Sequence, residues 1–375
     1  MFRIALLMLL GDKGKYLALV LGLSFAVLLI AQQAAIFLGL LTRATGVLQN
    51  VGQADLWVTD ASTRFVSEAR PMSDTDLLRV RSIDGVAWAQ PLFASRALVE
   101  LDDGRFQTVQ IFGIDRTTLV GRPPEILEGK LEDLRAPDAV MVEESGRKKL
   151  GDVKIGSTLK LNDHRAVVVG FCRAKAGFDS NVLVYTTYDN AVEFVPLGRK
   201  GLTFVLAKVA QGRDVEEVAQ EITRRTGLGA YTREVMQAKT IKFIIVETGI
   251  GINFGITVLL GFIVGLVVSG AILYQFTLEN IRNFAVLKAM GAKTRVLVMM
   301  ILLQAFVAGM IGYGIGVGLA GTFGIFSRYP GSELTAEFPW QLMLGSLVAM
   351  MICVCLGSVL SLKRVIQLEP AIVFK

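Results

Sequence analysis

The amino-acid sequence predicts an α-helical membrane protein with four transmembrane helices and a large α+β extracytoplasmic domain between the first and second helices. Hydrophobic residues make up 53% of the 375 residues and charged residues 19%, against roughly 45–50% and about 25% in soluble domains. The excess is concentrated in four runs without Asp or Glu, each long enough to cross roughly 30 Å of hydrocarbon as a helix. These runs are residues 16–41, 249–275, 296–326 and 340–362.

The distribution of charge predicts on which side of the membrane each segment lies. Residues 42–247 contain 28 Lys and Arg and 28 Asp and Glu, so the net charge of +6 comes from the remaining segments. Because basic residues are retained on the cytosolic side, both termini and the loop 276–295 are expected in the cytosol. Residues 42–248 are then periplasmic, residues 327–339 form a short outer loop, and the protein lies in a bacterial inner membrane. The basic balance reflects topology, and nucleic acid is not an expected partner.

The two ends of the chain are predicted to lie at the membrane surface. Residues 1–15 indicate an interfacial N-terminal helix whose Lys13 and Lys15 approach lipid headgroups. The first apolar run exceeds the roughly 7–15 residues of a signal-peptide core and has no small-residue cleavage site, so we expect a retained anchor. Residues 363–375 are the expected cytosolic tail.

Few residues could carry catalytic chemistry. His164 is the single histidine, which leaves no Ser-His-Asp set. Cys353 and Cys355 are two residues apart and would point to different faces of a helix, so a metal site is not expected. No Gly-x-x-x-x-Gly-Lys-Ser/Thr loop occurs, so the chain lacks the phosphate-binding loop of an ATPase. We therefore expect neither catalytic residues nor metal ligands, and no enzymatic activity.

Residues 42–248 mix strand and helix patterns, which predicts an α+β domain. Residues 102–105, Asp-Asp-Gly-Arg, predict a hairpin turn, whereas residues 117–128 are expected to be irregular. Helices are predicted at 74–81 and 214–225, and strands at 54–59, 87–101, 106–112, 139–142, 158–161, 166–171, 181–185 and 202–208.

Residues 233–248 predict a stalk helix that runs unbroken into the second transmembrane helix, because no helix breaker occurs before Gly249. A continuous helix is stiff and could carry motion between the outer domain and the membrane. The apolar stripe expected along the stalk consists of Val235, Met236, Ile241, Ile244 and Ile245.

Small residues in the second and third transmembrane helices predict close helix packing. Packing within one chain explains most of them, and a dimer seam is the alternative use. The glycines concerned are Gly251, Gly255, Gly261, Gly265, Gly312 and Gly316.

The charged loop 276–295 predicts a capped helix at residues 278–290. Thr277 is the expected N-cap and Gly291 the expected residue beyond the C-terminus. The charges of Glu279 and Lys288 suit the helix dipole in the first and last turns. Apolar side chains in an aqueous compartment favour docking into a protein groove over a solvated turn. The docking residues are expected to be Glu279, Arg282, Phe284, Val286, Leu287, Lys288 and Gly291.

Residues 284–292, FAVLKAMGA, resemble the loop signature of the FtsX-like permeases, the membrane subunits of type VII, macrolide-exporter-like (MacB-like) ABC systems. Residues 151–170 are similar to an outer-domain element of that family, and residues 361–375 to its C-terminal tail. The order of one span, a large outer domain and three closing spans is also similar, with the layout of DevC-type exporter permeases. Asn283 stands where the family usually has Glu, so an ionic contact is not implied there.

The resemblance implies a permease subunit that couples ATP hydrolysis by a separate ABC ATPase to movement of its periplasmic domain, a mechanism called mechanotransmission. ATP and Mg²⁺ would bind the partner, and this chain would bind no cofactor. The expected partners are the ATPase, a second permease copy, a membrane-fusion (adaptor) protein and membrane lipids. Export of a lipid-like or amphipathic substrate is expected. Extraction of lipoproteins or lipids, and regulation of a periplasmic partner such as a cell-wall hydrolase, remain as alternatives.

Overall fold

The structure, a computed structural model, describes residues 5, 7–8, 11, 13–68, 70–179, 181–196, 201–327 and 335–367. In chain order its elements are α1 (Lys13–Ala44), α2 (Gly46–Asn50), β1 (Leu56–Thr59), α3 (Asp74–Arg81), β2 (Val86–Glu100), β3 (Phe106–Ile114), β4 (Glu125–Glu128), a 3₁₀ turn (Leu131–Arg135), β5 (Ala139–Glu143), α4 (Gly146–Lys149), β6 (Thr158–Leu161), β7 (His164–Arg173), β8 (Val182–Thr187), α5 (Tyr188–Glu193), β9 (Phe204–Val209), α6 (Val215–Thr226), β10 (Gly229–Thr232), α7 (Arg233–Val246), α8 (Ile250–Glu279), α9 (Ile281–Ala289), α10 (Thr294–Ser327) and α11 (Trp340–Ile366).

The chain forms two compact units. Met1–Gly39 and Gly249–Lys375 make the membrane unit, and Leu40–Thr248 make the outer unit. Helices α1, α8, α10 and α11 are long and apolar enough to cross a membrane, and the outer unit combines strands with helices. The predicted fold class is therefore confirmed.

The four long helices of the membrane unit pack around a shared apolar centre. Leu19, Leu23 and Val27 of α1 meet Leu273 of α8, and residues of α10 and α11 complete the cluster. At the chain ends, residues 5, 7–8 and 11 are helical. The rest of the predicted N-terminal helix before Lys13, and the tail from residue 368, lie outside the described residues.

The outer unit is built on one ten-stranded sheet. Its strand order is β10-β1-β9-β2-β3-β8-β5-β7-β4, and β6 pairs with both β2 and β7. Most pairs are antiparallel, whereas β3/β8 and β5/β7 are parallel. The turn predicted at 102–105 joins β2 to β3, where the Leu101 amide donates to the Arg105 carbonyl at 2.8 Å.

Both faces of the sheet are covered, because side chains alternate along each strand. In β9, Phe204 and Leu206 enter one cluster together with Trp57. The intervening Val205 and Ala207 enter a second cluster, where residues of α6 also pack. The first cluster also takes in residues of α2 and α7, so the segments through which the chain enters and leaves the outer unit are fixed to its core.

Two strands differ from the sequence-based expectation. Residues 125–128, expected to be irregular after two prolines, form β4 because Ile126 pairs with Cys172 of β7 at the sheet edge. Residues 229–232 form β10 through pairing with β1. In both places a strand distant in sequence supplies the hydrogen bonds. The β-propensity of the segment itself does not predict that pairing.

Candidate coupling site

The loop between α8 and α10 holds α9, a short helix that begins later than predicted. Thr277 is not its N-cap: this residue is buried inside α8, and its hydroxyl donates to the Leu273 carbonyl at 2.8 Å. The helix breaks at Asn280, whose backbone has φ −90 and ψ 9. The Asn280 side chain donates to the Phe276 carbonyl at 3.0 Å. The prediction of a helix starting at residue 278 was therefore wrong, since a threonine hydroxyl can bond within its own helix.

The C-terminal end of α9 agrees with the predicted signal. Gly291 has φ 94, a left-handed conformation that glycine adopts without steric cost. The Gly291 amide donates to the Lys288 carbonyl at 3.1 Å and the Ala292 amide to the Leu287 carbonyl at 3.0 Å. These bonds satisfy carbonyls that the helix end would leave free, so α9 stops sharply.

Phe284 anchors α9 and does not face outward. It is fully buried, as is its neighbour Ala285. We call the surrounding group the Phe284 cluster; its members are Ala5, Phe284, Ala285, Leu297, Met300, Ile301 and Val365. The sequence-based assignment of Phe284 as a docking residue is wrong, because the ring is used to fix α9 to the membrane unit.

The exposed face of α9 combines apolar and basic side chains. Val286 is 38% and Met290 71% exposed, and Arg282 is exposed as well. Leu287 packs partly against the Phe284 cluster, and Lys288 is half-buried. Residues 280–295 contain no acidic side chain, so this face is positively charged. Met290 was not among the predicted docking residues, although its spacing of four from Val286 places both on one helix face.

Glu279 is the last residue of α8 and does not lie in the first turn of α9. It forms an ion pair with Lys15 of α1. The Gln275 side chain also donates to its carboxylate at 3.4 Å. Glu279 thus has a partner within the chain, unlike the free docking residue that the sequence suggested.

The predicted stalk helix does not run unbroken into α8. Helix α7 stops at Val246, and Gly249, with φ 70, separates it from α8. The prediction of an unbroken helix through residue 248 was wrong, because a left-handed residue cannot continue a right-handed helix. The buried stripe also differs from the predicted one. It is Met236, Thr240 and Ile244, whereas Val235 and Ile245 are exposed and Ile241 is half-buried.

A loop of the outer unit braces α7. Phe65 stacks on Phe243 with ring centroids 4.4 Å apart, and the Val66 amide donates to the Thr240 hydroxyl at 3.2 Å. The Arg64 guanidinium lies 4.9 Å from the Phe243 ring centroid. Hydrogen bonds from Arg64 lower the pKa of Glu68 from 4.5 to about 2. Sequence reasoning missed this brace, because residues 64–68 lie far from α7 in sequence.

Most of the predicted packing glycines serve contacts within the chain. A Cβ on Gly265 would meet Ala26 at 2.8 Å, and one on Gly316 would meet the Ser24 carbonyl at 2.6 Å. Gly261 and Gly312 similarly face α1. In contrast, a Cβ on Gly255 would meet nothing within 4 Å, and Gly251 is half-buried.

Two family models cover most of the chain. The MacB-like periplasmic core domain matches residues 17–225, and the FtsX-like permease C-terminal domain matches residues 254–370. The chain belongs to the MacB/FtsX-like family of ABC transporter permeases. The first match contains most of the outer unit and the second contains α9. Residues 226–253, with α7 and Gly249, fall between the two matched segments.

The permease is similar to known proteins along most of its length. An uncharacterized ABC transporter permease of Mycobacterium tuberculosis is 27% identical over 81% of this chain and 79% of its own length. An uncharacterized ABC transporter permease of Methanocaldococcus jannaschii is 24% identical over 52% of this chain and 51% of its own length. The crystal structure of the periplasmic region of MacB from Actinobacillus actinomycetemcomitans matches with a TM-score of 0.40 and 12% identity, covering 51% of this chain and 94% of that one.

Family membership fixes the general role of the chain. ABC transporter permeases are not themselves ATPases, so the permease works with an ABC ATPase partner. The four apolar helices and the MacB-like periplasmic domain make it an inner-membrane protein. The predicted family, fold class and general transporter role are therefore confirmed.

Proposed function

We propose that the permease receives ATP-driven motion through α9 and uses it to move its outer domain, which exports a lipid-like or amphipathic substrate. The observation that carries this proposal is the contrast between the two faces of α9. Phe284 fixes one face to the membrane unit, whereas Val286, Met290 and Arg282 are presented outward. An exposed apolar pair rimmed by positive charge fits a groove with an apolar floor and acidic edges.

In this proposal α9 and both termini lie in the cytosol and the outer unit lies in the periplasm. Residues 280–295 carry four basic and no acidic side chains: Arg282, Lys288, Lys293 and Arg295. At the end of α11, Lys363 and Arg364 are exposed. Basic residues at these helix ends support the cytosolic placement, which is also the side on which ATP is available.

The composition of the membrane unit supports the proposed substrate class. The four apolar runs contain no charged side chain, and the centre of the bundle is filled by packed aliphatic side chains. A hydrophilic solute would meet no charged side chain along these four runs. A substrate that partitions into lipid, or that is handled by the periplasmic domain, agrees better with this composition.

Two further partners complete the proposal. A second copy of the permease would provide a second α9 for a dimeric ATPase, and the open side of α8 near Gly255 could receive it, because small residues allow close helix approach. An adaptor protein would contact the outer unit in the periplasm. ATP and Mg²⁺ would bind the ATPase.

The docking assignment is tested by Val286→Asp and Met290→Asp. A carboxylate on the exposed face of α9 would be desolvated on docking, so we expect co-purification of the ATPase in mild detergent to fall by about ten-fold or more. The matched control is Leu78→Asp, which alters an exposed leucine on α3 of the outer unit and should leave co-purification unchanged. Unaltered ATPase binding by a normally inserted Met290→Asp variant would refute the assignment.

A further inference from the structure

One ion pair in the membrane unit joins segments far apart in sequence. Lys15, in the first turn of α1, pairs with Glu279, the last residue of α8. Glu279 is the single acidic residue between positions 249 and 327. It lies in a region whose other charges are positive, and it faces one of the lysines. Its side chain is 47% exposed and that of Lys15 25%, so the pair contributes little to stability.

A second contact ties the N-terminal segment to the same region. Gln304 of α10 is fully buried, and its side-chain nitrogen donates to the Ala5 carbonyl at 2.7 Å. Its side-chain oxygen has no hydrogen-bond partner among the described residues. A half-satisfied buried amide is costly. Ala5 is also fully buried and belongs to the Phe284 cluster, against which Met8 packs.

The backbone conformation at Asn280 determines to which helix a displacement of α9 is transmitted. Asn280 is not helical, so α9 does not continue α8 as one rod. Through the Phe284 cluster, α9 instead contacts the N-terminal segment, and the residue before the break is paired with Lys15. The Lys15 contact leads directly to α1, which is uninterrupted from Lys13 to Ala44.

We propose that Lys15–Glu279 and Ala5–Gln304 form a clamp that passes displacement of α9 to the base of α1. Lys15, Glu279 and Gln304 are then positioning residues: they touch neither nucleotide nor substrate and act through α1. This inference rests on the proposed docking of an ATPase to α9. It adds that α1 is the membrane helix that responds to the docked ATPase through side-chain contacts.

The test measures the response of α1 and α8 separately in the purified permease–ATPase complex. Cys355, which is exposed, is first replaced by Ser. A bimane dye is then attached to a cysteine placed at Leu17 of α1 or at Tyr274 of α8, which are 56% and 37% exposed. The readout is the fluorescence change on adding ATP with Mg²⁺. Co-purification of the ATPase is measured on the same samples.

Glu279→Gln should reduce the Leu17 response by about five-fold or more, as expected for loss of a coupling contact. The Tyr274 response and ATPase co-purification should be retained. The charge exchange Lys15→Glu with Glu279→Lys should restore the Leu17 response. Lys160→Gln, which breaks an exposed ion pair of the outer unit, should change neither signal.

With the ATPase still bound, any other pattern overturns the clamp. Such patterns are an unchanged Leu17 response in Glu279→Gln, loss of both the Leu17 and Tyr274 responses in that variant, or no restoration of the Leu17 response by the charge exchange. If the ATPase does not co-purify with the wild-type chain, the proposed docking fails, and the clamp that rests on it fails for that reason. If wild-type docking is intact and Glu279→Gln abolishes it, Glu279 is a docking residue and the clamp is refuted.

Discussion

Phe284 in α9 and Met290, the residue that follows α9, show how two apolar residues of one short loop differ in burial. Phe284 is enclosed by side chains from the N-terminal segment, α10 and α11, whereas Met290 is 71% exposed. Composition alone marks both as apolar residues in a charged loop. Their roles differ because burial depends on which distant segments reach the helix. In the proposed docking, Met290 and Val286 contact the ATPase, whereas Phe284 packs inside the membrane unit.

The Arg64–Glu68 pair predicts a pH dependence of the brace on α7. The folded-state pKa of Glu68 is lowered from 4.5 to about 2, so the stabilisation is fully present above pH 4.5 and is lost as the pH falls towards 2. Because Arg64 is more than half exposed, solvent screening limits the contribution of this pair to the free energy of unfolding to about 1 kcal/mol.

Glu68→Gln should accordingly speed hydrogen exchange of the α7 amides at pH 6. The difference from wild type should shrink as the pH is lowered from 4.5 to 2. Glu216→Gln, a change to an exposed carboxylate on α6, serves as the control and should leave exchange in α7 unaltered. A difference between Glu68→Gln and wild type that does not change with pH would contradict the assigned pKa shift.

At the scale of elements, the break between α7 and α8 is the main departure from the sequence-based account. The apolar residues on both sides of position 249 suit a helix, and glycine is tolerated in membrane helices. The sequence pattern therefore predicted one continuous helix. Gly249 adopts φ 70, and the chain turns out of the helix there. The start of α9 was missed for a related reason: Thr277 can act as a cap or bond to its own helix, and sequence does not distinguish the two.

Two glycine substitutions test the break. A Cβ would meet nothing within 4 Å at either Gly249 or Gly255, but only the first of these two has a positive φ. Gly249→Ala should lower the free energy of unfolding of the full chain in detergent by about 1–2 kcal/mol, because alanine is strained in that conformation. Gly255→Ala should be neutral or stabilising, since alanine favours a helix. Equal stability of the two variants would show that residue 249 is helical.

At the scale of the whole molecule, the four membrane helices and the α+β domain were predictable because long apolar runs and a charge-balanced middle segment are local signals. The strand order was not predictable, since β4 and β10 exist through pairing with strands distant in sequence. The Phe284 cluster was missed for the same reason: Ala5, Phe284, Leu297 and Val365 come from four separate stretches. The glycine after α9 correctly predicted where that helix ends, whereas the sequence did not show which face of the helix is exposed.

We propose that the exposed face of α9 contacts a separate ATPase in the cytosol. The most direct test places a photo-crosslinking amino acid at Met290 and irradiates cells that express the permease with its ATPase. We expect a crosslinked permease–ATPase product from Met290 and none from Leu78, which is also exposed but lies in the outer unit. Failure of Met290 to crosslink would contradict the docking face, and an equal yield from Leu78 would contradict the proposed orientation of the protein in the membrane.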